Sequence, residues 1–172
     1  MNEFLLKDKV RQKIQQSLIL TGLARSGTTI MGKIFYSMKS VEYAYEPSML
    51  SALFPLIDSM KKDTWQFLYE SYLFEEFLIK AVSGRGINCN PHDDSCIYTA
   101  KSEKLVQKRL SRSFSKTEAV KSAERSFIVY KILEITPFLE RFQQYYPDTP
   151  IILISRKPVD FIYSILAKGW FS

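Results

Sequence analysis

Of 172 residues only two are cysteine and one is histidine. Cys89 and Cys96 are too few to build a disulfide framework for a chain of this length, so the sequence points to a reducing compartment. Long apolar runs are missing as well: residues 54–57 and 151–154 are quickly interrupted, far short of the roughly 18 consecutive apolar residues that a membrane span requires. Residues 1–16 alternate charged and apolar side chains and hold no apolar stretch followed by a small-residue cleavage site, so no secretory leader is expected. Glycine and proline number only 6 and 7, which excludes collagen-like and low-complexity disordered chains. These absences lead to the expectation of a soluble, cytoplasmic protein with no membrane partner.

What is present is a hydrophobic share of 46%, enough for one sizeable core in a chain too short for two ordinary domains. The expectation is a single domain over residues 1–172. Lys and Arg total 24 against 18 Asp and Glu, and the resulting charge of +6 favours phosphate, sulfate or other polyanionic partners. Charge alone leaves nucleic acid open.

Residues 17–21 form a short apolar run ending at Gly22, the pattern of a buried strand entering a turn, and residues 30–38 follow with helical spacing that puts Ile30, Ile34 and Met38 on one face. A second short strand is predicted over residues 41–45, closed by Glu46-Pro47. Residues 63–82 carry Trp65, Leu68, Tyr69, Tyr72, Leu73 and Val82 at helical spacing, with Asp63 and Gln66 as a capping-box-like pair. Residues 83–98 read as a loop and residues 101–125 as a basic, helical excursion. Strand 127–131, helix 136–146, turn 147–150, strand 151–155 and helix 158–168 complete the order. Strands alternating with helices predict an α/β, three-layer, P-loop-like fold: a central parallel sheet flanked by helices.

Gly22-Leu-Ala-Arg-Ser-Gly-Thr-Thr29 has the spacing of a Gly-x-x-x-x-Gly phosphate loop and sits between a predicted strand and helix. Backbone N–H groups in such a loop converge with the positive end of the helix dipole. Nucleotide kinases carry Lys after the second Gly, but here Thr28 holds that position and the cation stands earlier, at Arg25. Near the C-terminus, Ile151-Ile-Leu-Ile-Ser-Arg156-Lys-Pro158 is a strand ending in Arg, with Ser164 eight residues beyond Arg156.

The first motif resembles the 5′-phosphosulfate loop of sulfotransferases that use 3′-phosphoadenosine-5′-phosphosulfate (PAPS), and the second resembles that family's 3′-phosphate motif. Tyr145-Tyr-Pro-Asp148 also resembles the turn leading into that strand. The resemblance covers residues 17–47 and 127–172, and it implies transfer of a sulfuryl group from PAPS, without a metal, to a hydroxyl or amine on a small molecule, glycan or peptide. Nucleic acid is disfavoured as a partner. On this reading Gly22, Arg25, Ser26, Gly27, Thr28 and Thr29 hold the 5′ side, and Arg156 and Ser164 hold the 3′-phosphate. Arginine suits that role because its planar fork donates two parallel hydrogen bonds.

Transfer also needs a proton acceptor. His92, the lone histidine, stands in the loop outside any motif. Glu46, 21 residues after Arg25, resembles in its offset the Glu base of protein-tyrosine sulfotransferases; its alternative reading is a helix-capping carboxylate. Lys131 resembles a strand-end lysine facing the sulfonate, and its alternative is a solvent-facing lysine. Arg25, Glu46 and Lys131 are thus the catalytic candidates. Since sulfotransferases continue past the second motif with further helices, the resemblance implies a short or C-terminally incomplete member.

Other readings remain open. A P-loop nucleotide kinase is one, although no predicted strand ends in the Asp that helps hold Mg²⁺ there. A catalytically inactive nucleotide- or polyanion-binding module is another. Cys89, His92 and Cys96 read either as an incomplete zinc cluster or as a surface loop. The basic residues of 101–125, including Lys101, Arg109 and Arg112, read as a solvated helix face or as a contact for an anionic acceptor.

Overall fold

The structure, a computed structural model, describes residues 8–111, 115–133 and 135–169. Arg112, counted above among the basic residues, and the two ends of the predicted domain lie outside them. The chain is α/β. Strands β1 (Leu18–Gly22), β2 (Val41–Tyr45), β3 (Phe127–Lys131) and β4 (Ile151–Ile154) form one all-parallel sheet in the order β2-β3-β1-β4. The helices are α1 (Asp8–Gln15), α2 (Thr28–Ser37), α3 (Ser48–Leu53), α4 (Lys62–Ser71), α5 (Lys80–Val82), α6 (Glu103–Ser111), α7 (Lys116–Glu124), α8 (Leu139–Tyr145) and α9 (Pro158–Leu166).

Both sheet faces are covered, as a parallel sheet with helical crossovers requires. On one face Leu18, Leu20, Val41, Tyr43 and Val129 pack against Met31 and Phe35 of α2. On the other, Ile19, Ile128 and Tyr130 meet Ile14 of α1, Trp65 and Tyr69 of α4, and Phe142 of α8. Several polar side chains in this second core are paired. The Tyr69 and Tyr130 hydroxyls lie 2.7 Å apart, and Tyr146 donates its hydroxyl to Glu70 at 2.9 Å while Arg11 donates to the same carboxylate at 3.1 Å.

The P-loop-like, three-layer arrangement predicted from strand and helix alternation is therefore present, with local differences. The apolar stripe Ile30, Ile34 and Met38 faces outward, 67%, 49% and 46% exposed. The reason is Gly32, where a Cβ would stand 2.2 Å from the Tyr43 ring and hydroxyl. The helix lies too close to the sheet for any side chain there, so the face around Gly32 turns inward.

The expected Asp63/Gln66 capping box does not form: α4 begins at Lys62 with no side-chain cap, and Asp63 falls in its first turn, where it meets the helix dipole instead. Helix 63–82 is continuous but widens into π-helical turns over Tyr72–Ile79 before α5. The basic stretch is two helices, α6 and α7, and it is not wholly solvated. Lys101 is buried, donating to the carbonyls of Met38 and Val41 at 2.9 Å each, and Arg109 forks onto the buried carboxylate of Glu42 at 2.5 and 3.0 Å. Among the described residues no helix is long and apolar enough to cross a membrane.

Candidate active site

Because all four strands run the same way, their carboxyl ends lie at one edge of the sheet. Gly22 stands opposite Ile154, and Tyr45 opposite Lys131. The segments leaving those ends carry Arg25, Glu46, Lys131 and Arg156. Residues up to 131 positions apart in sequence therefore meet at the place where open α/β sheets bind ligands.

The loop after β1 depends on its glycines. At Gly22 (φ 146°) a Cβ would fall 2.2 Å from the Ile154 carbonyl oxygen, so any other residue would push β1 away from β4. Gly27 (φ 102°) occupies the N-cap of α2 and leaves that end without a side-chain cap. The first-turn N–H groups therefore face a cleft of about 360 Å³ lined by residues 25–30 and Arg156. Ser26 turns its hydroxyl back to the Leu23 carbonyl at 2.6 Å, which holds the loop in shape.

Two contacts join the loop to the second motif. Arg156 donates Nη1 to the Arg25 carbonyl oxygen at 3.1 Å, and Arg25 donates Nε to Ser164 Oγ on α9 at 3.2 Å. Arg25 and Arg156 are both exposed, so their remaining N–H groups are open to a ligand in the cleft.

A second cluster lies on the β2 side. Lys131 Nζ donates to Glu46 Oε1 at 2.5 Å and to Thr29 Oγ1 at 2.9 Å, and sits 4.6 Å above the centre of the Tyr45 ring. Lys131 is 3% exposed, which overturns the alternative of a solvent-facing lysine. The helix-capping alternative for Glu46 also fails: Pro47 holds the N-cap of α3 with no side-chain cap, while the Glu46 carboxylate pairs with Lys131. Thr29, grouped above with the nucleotide contacts, spends its hydroxyl oxygen on Lys131 and so links the loop to this cluster.

Arg25 (φ 63°) and Glu46 (φ 41°) both adopt left-handed backbone conformations that are uncommon outside glycine. Strain of about 1–3 kcal/mol per such residue persists where the surroundings fix the geometry, and it concentrates at working sites. Electrostatics in the cluster are likewise set by burial. Burial first, and then the Glu46 charge, raise the Tyr45 phenol above its ordinary pKa.

Sequence reasoning missed one aromatic ring and two ion pairs. Tyr45 is legible only as the residue before Glu46, and its position under Lys131 needs the β2–β3 register. The Glu42–Arg109 pair and the Lys33–Asp94 bridge at 2.8 Å, which ties the loop before Cys96 to α2, join positions more than 60 residues apart. His92 is exposed in that loop. Among the described residues no group of three His, Cys, Asp or Glu side chains gathers as a metal site; Cys89 is exposed and Cys96 buried. Compared with family models, curated proteins and solved structures, the chain matches none.

Proposed function

We propose that the chain is a PAPS-dependent sulfotransferase acting on a hydroxyl or amine. The observation that carries this reading is that Arg25 and Arg156 line one cleft at an uncapped helix N-terminus, with Ser164 accepting from Arg25 Nε beside them, so residues of both motifs meet around the same anion-binding backbone. A nucleotide with phosphates at both its 3′ and 5′ positions fits that donor set better than a triphosphate. Gly22, Ser26, Gly27, Thr28 and Thr29 shape the 5′ end; Arg156 and Ser164 serve the 3′ end. Bound there, PAPS supplies the sulfuryl group.

The chain's own groups do the rest. Glu46 takes the proton of the attacking hydroxyl, Lys131 holds the Glu46 carboxylate in place, and Arg25 with Lys131 offsets negative charge developing at the cleft. Thr28 stands at the position of a kinase lysine, and β1 to β4 end in Gly22, Tyr45, Lys131 and Ile154, none a carboxylate that could help hold Mg²⁺. With both cysteines free, the reading places the enzyme in a reducing cytoplasm.

Calorimetric titration tests it. Adenosine 3′,5′-bisphosphate should bind, ATP with Mg²⁺ should not, and Arg156→Ala should weaken the bisphosphate by about 10- to 100-fold, as expected for a lost hydrogen bond to a charged group. Tighter binding of ATP with Mg²⁺ would overturn the assignment in favour of a kinase.

A further inference from the structure

A cavity of about 210 Å³ lies along the free edge of β2 and is separate from the phosphate cleft. Tyr45 and Pro47, the two chain neighbours of Glu46, both line it, and Lys131 Nζ, 4.6 Å from the Tyr45 ring centre, is bonded to the Glu46 carboxylate, so the Tyr45 ring connects this wall to the proton acceptor's partner. Tyr36, Tyr43, Tyr72 and Phe77 supply further wall. Three of these rings form a run along one face, with Tyr36 and Tyr43 centroids 6.0 Å apart and Tyr43 and Tyr45 centroids 6.4 Å apart. From these walls we infer that the acceptor is an uncharged compound bearing an aryl hydroxyl, seated with its ring in this cavity; the inference rests on the sulfotransferase reading.

Three observations select this chemistry. The first is charge. Among the described residues Glu42 is the only charged one lining the cavity, and Arg109 already pairs both its carboxylate oxygens. A sulfated glycan or a carboxylate would find no lysine or arginine among these described lining residues. The second is that lysines already occupy the outer rings: Lys101 Nζ lies 4.7 Å from the Tyr36 centroid and Lys131 Nζ 4.6 Å from that of Tyr45. An ammonium would be repelled from a wall that would otherwise attract it. The third is size. The cavity exceeds the roughly 150 Å³ that suffices to take up benzene, and aromatic walls favour an inserted ring through offset-stacked and edge-to-face contacts.

The chemistry of the base agrees. A carboxylate is a weak base, and a phenol, which ionises near pH 10, gives up its proton far more readily than an alkanol. In the balanced step a phenol oxygen lone pair forms the new S–O bond. The S–O bond to the nucleotide 5′-phosphate breaks with its electron pair passing to the phosphate oxygen, and the phenolic proton goes to Glu46. The products are an aryl sulfate and adenosine 3′,5′-bisphosphate.

The test uses 2-naphthol and the full chain. Ligand-observed saturation-transfer NMR should show 2-naphthol binding without any nucleotide, and Ala81→Trp, which fills the cavity from its wall, should weaken it by about tenfold or more. Adenosine 3′,5′-bisphosphate should bind this variant as it binds the parent, which also reports that it folds; Ile87→Trp, filling the cavity from the loop side, replaces it if it does not. In transfer assays 2-naphthol should exceed heparin oligosaccharides and octylamine in kcat/KM by about tenfold or more. If the bisphosphate binds but the naphthol signal is absent, survives the filling variants, or gives way to preferred transfer to heparin or octylamine, the aryl acceptor falls alone. If the bisphosphate fails to bind the parent chain, the sulfotransferase reading falls and the acceptor role goes with it.

Discussion

Lys131 Nζ lies 2.5 Å from Glu46 Oε1, bridging the carboxyl ends of β3 and β2. The backbone reinforces the link, since the Glu46 N–H donates to the Lys131 carbonyl at 3.1 Å. The lysine therefore serves two purposes, aiming the carboxylate and, through Thr29, bringing positive charge to the edge of the cleft lined by residues 25–30 and Arg156.

Substitutions at this pair should separate turnover from binding. On the proposed sulfotransferase reading, Glu46→Gln keeps the shape and loses the proposed base, so sulfuryl transfer should nearly vanish while adenosine 3′,5′-bisphosphate binds as before. Lys131→Met should lower kcat by about 100- to 1,000-fold, the cost typical of a lost transition-state donor, with a far smaller change in nucleotide affinity. Single-turnover kinetics beside calorimetry reads both quantities. Undiminished turnover in Glu46→Gln would remove that residue from the mechanism.

Gly22 offers a test of the sheet itself. Gly22→Ala forces a Cβ to within 2.2 Å of a backbone oxygen at a φ that alanine rarely adopts. A backbone atom cannot swing aside, so the β1–β4 junction must open. The expected destabilisation is about 2–4 kcal/mol, combining strain and overpacking. Denaturant unfolding measures it, and because Arg156 follows β4, bisphosphate affinity should fall in parallel.

How much of this was legible beforehand follows from the range of the interactions. The loop at residues 22–29 and the four strands declare themselves through local pattern: apolar runs of strand length, glycines at a turn, a proline after Glu46. Their convergence follows from parallel topology, which fixes all the carboxyl ends at one edge. The inward face of α2 was not legible, because it is set by a glycine pressed on a tyrosine from a different element, and hydrophobic spacing marked the opposite stripe. The burial of Lys101 and Arg109 was hidden for a related reason. A basic run looks solvated until the carbonyls and the carboxylate that receive it are placed 60 residues earlier in the chain.

Arg109 and Glu42 should behave as a unit. Glu42 is 1% exposed, and Arg109→Ala leaves its carboxylate buried without its fork of donors. The expected loss is about 3–5 kcal/mol, whereas the double change Glu42→Leu with Arg109→Met should cost far less, since a buried pair yields little net stability over well-packed apolar residues. A double-mutant cycle by denaturant unfolding decides this. Additive losses would show that the two side chains act independently.

The pH dependence at the alkaline end should follow the tyrosines. Burial, the leading cause at each, raises Tyr69, Tyr130 and Tyr146 well above their ordinary value. Below about pH 10 these phenols are protonated in both folded and unfolded chains, so their contribution is intact. Above it the unfolded chain loses protons that the folded chain keeps, and stability falls by about 1.4 kcal/mol per pH unit for each tyrosine. Lys101 acts with the opposite sign: burial lowers its pKa, so from that lowered value up to its ordinary one stability rises with pH, but one lysine cannot offset three phenols. Tyrosinate absorbance from the buried rings should therefore appear together with loss of far-ultraviolet circular dichroism, in one cooperative step above pH 10. Gradual ionisation of every tyrosine with the helical signal intact would show that the Tyr69–Tyr130 and Tyr146–Glu70 contacts do not shield these hydroxyls from water.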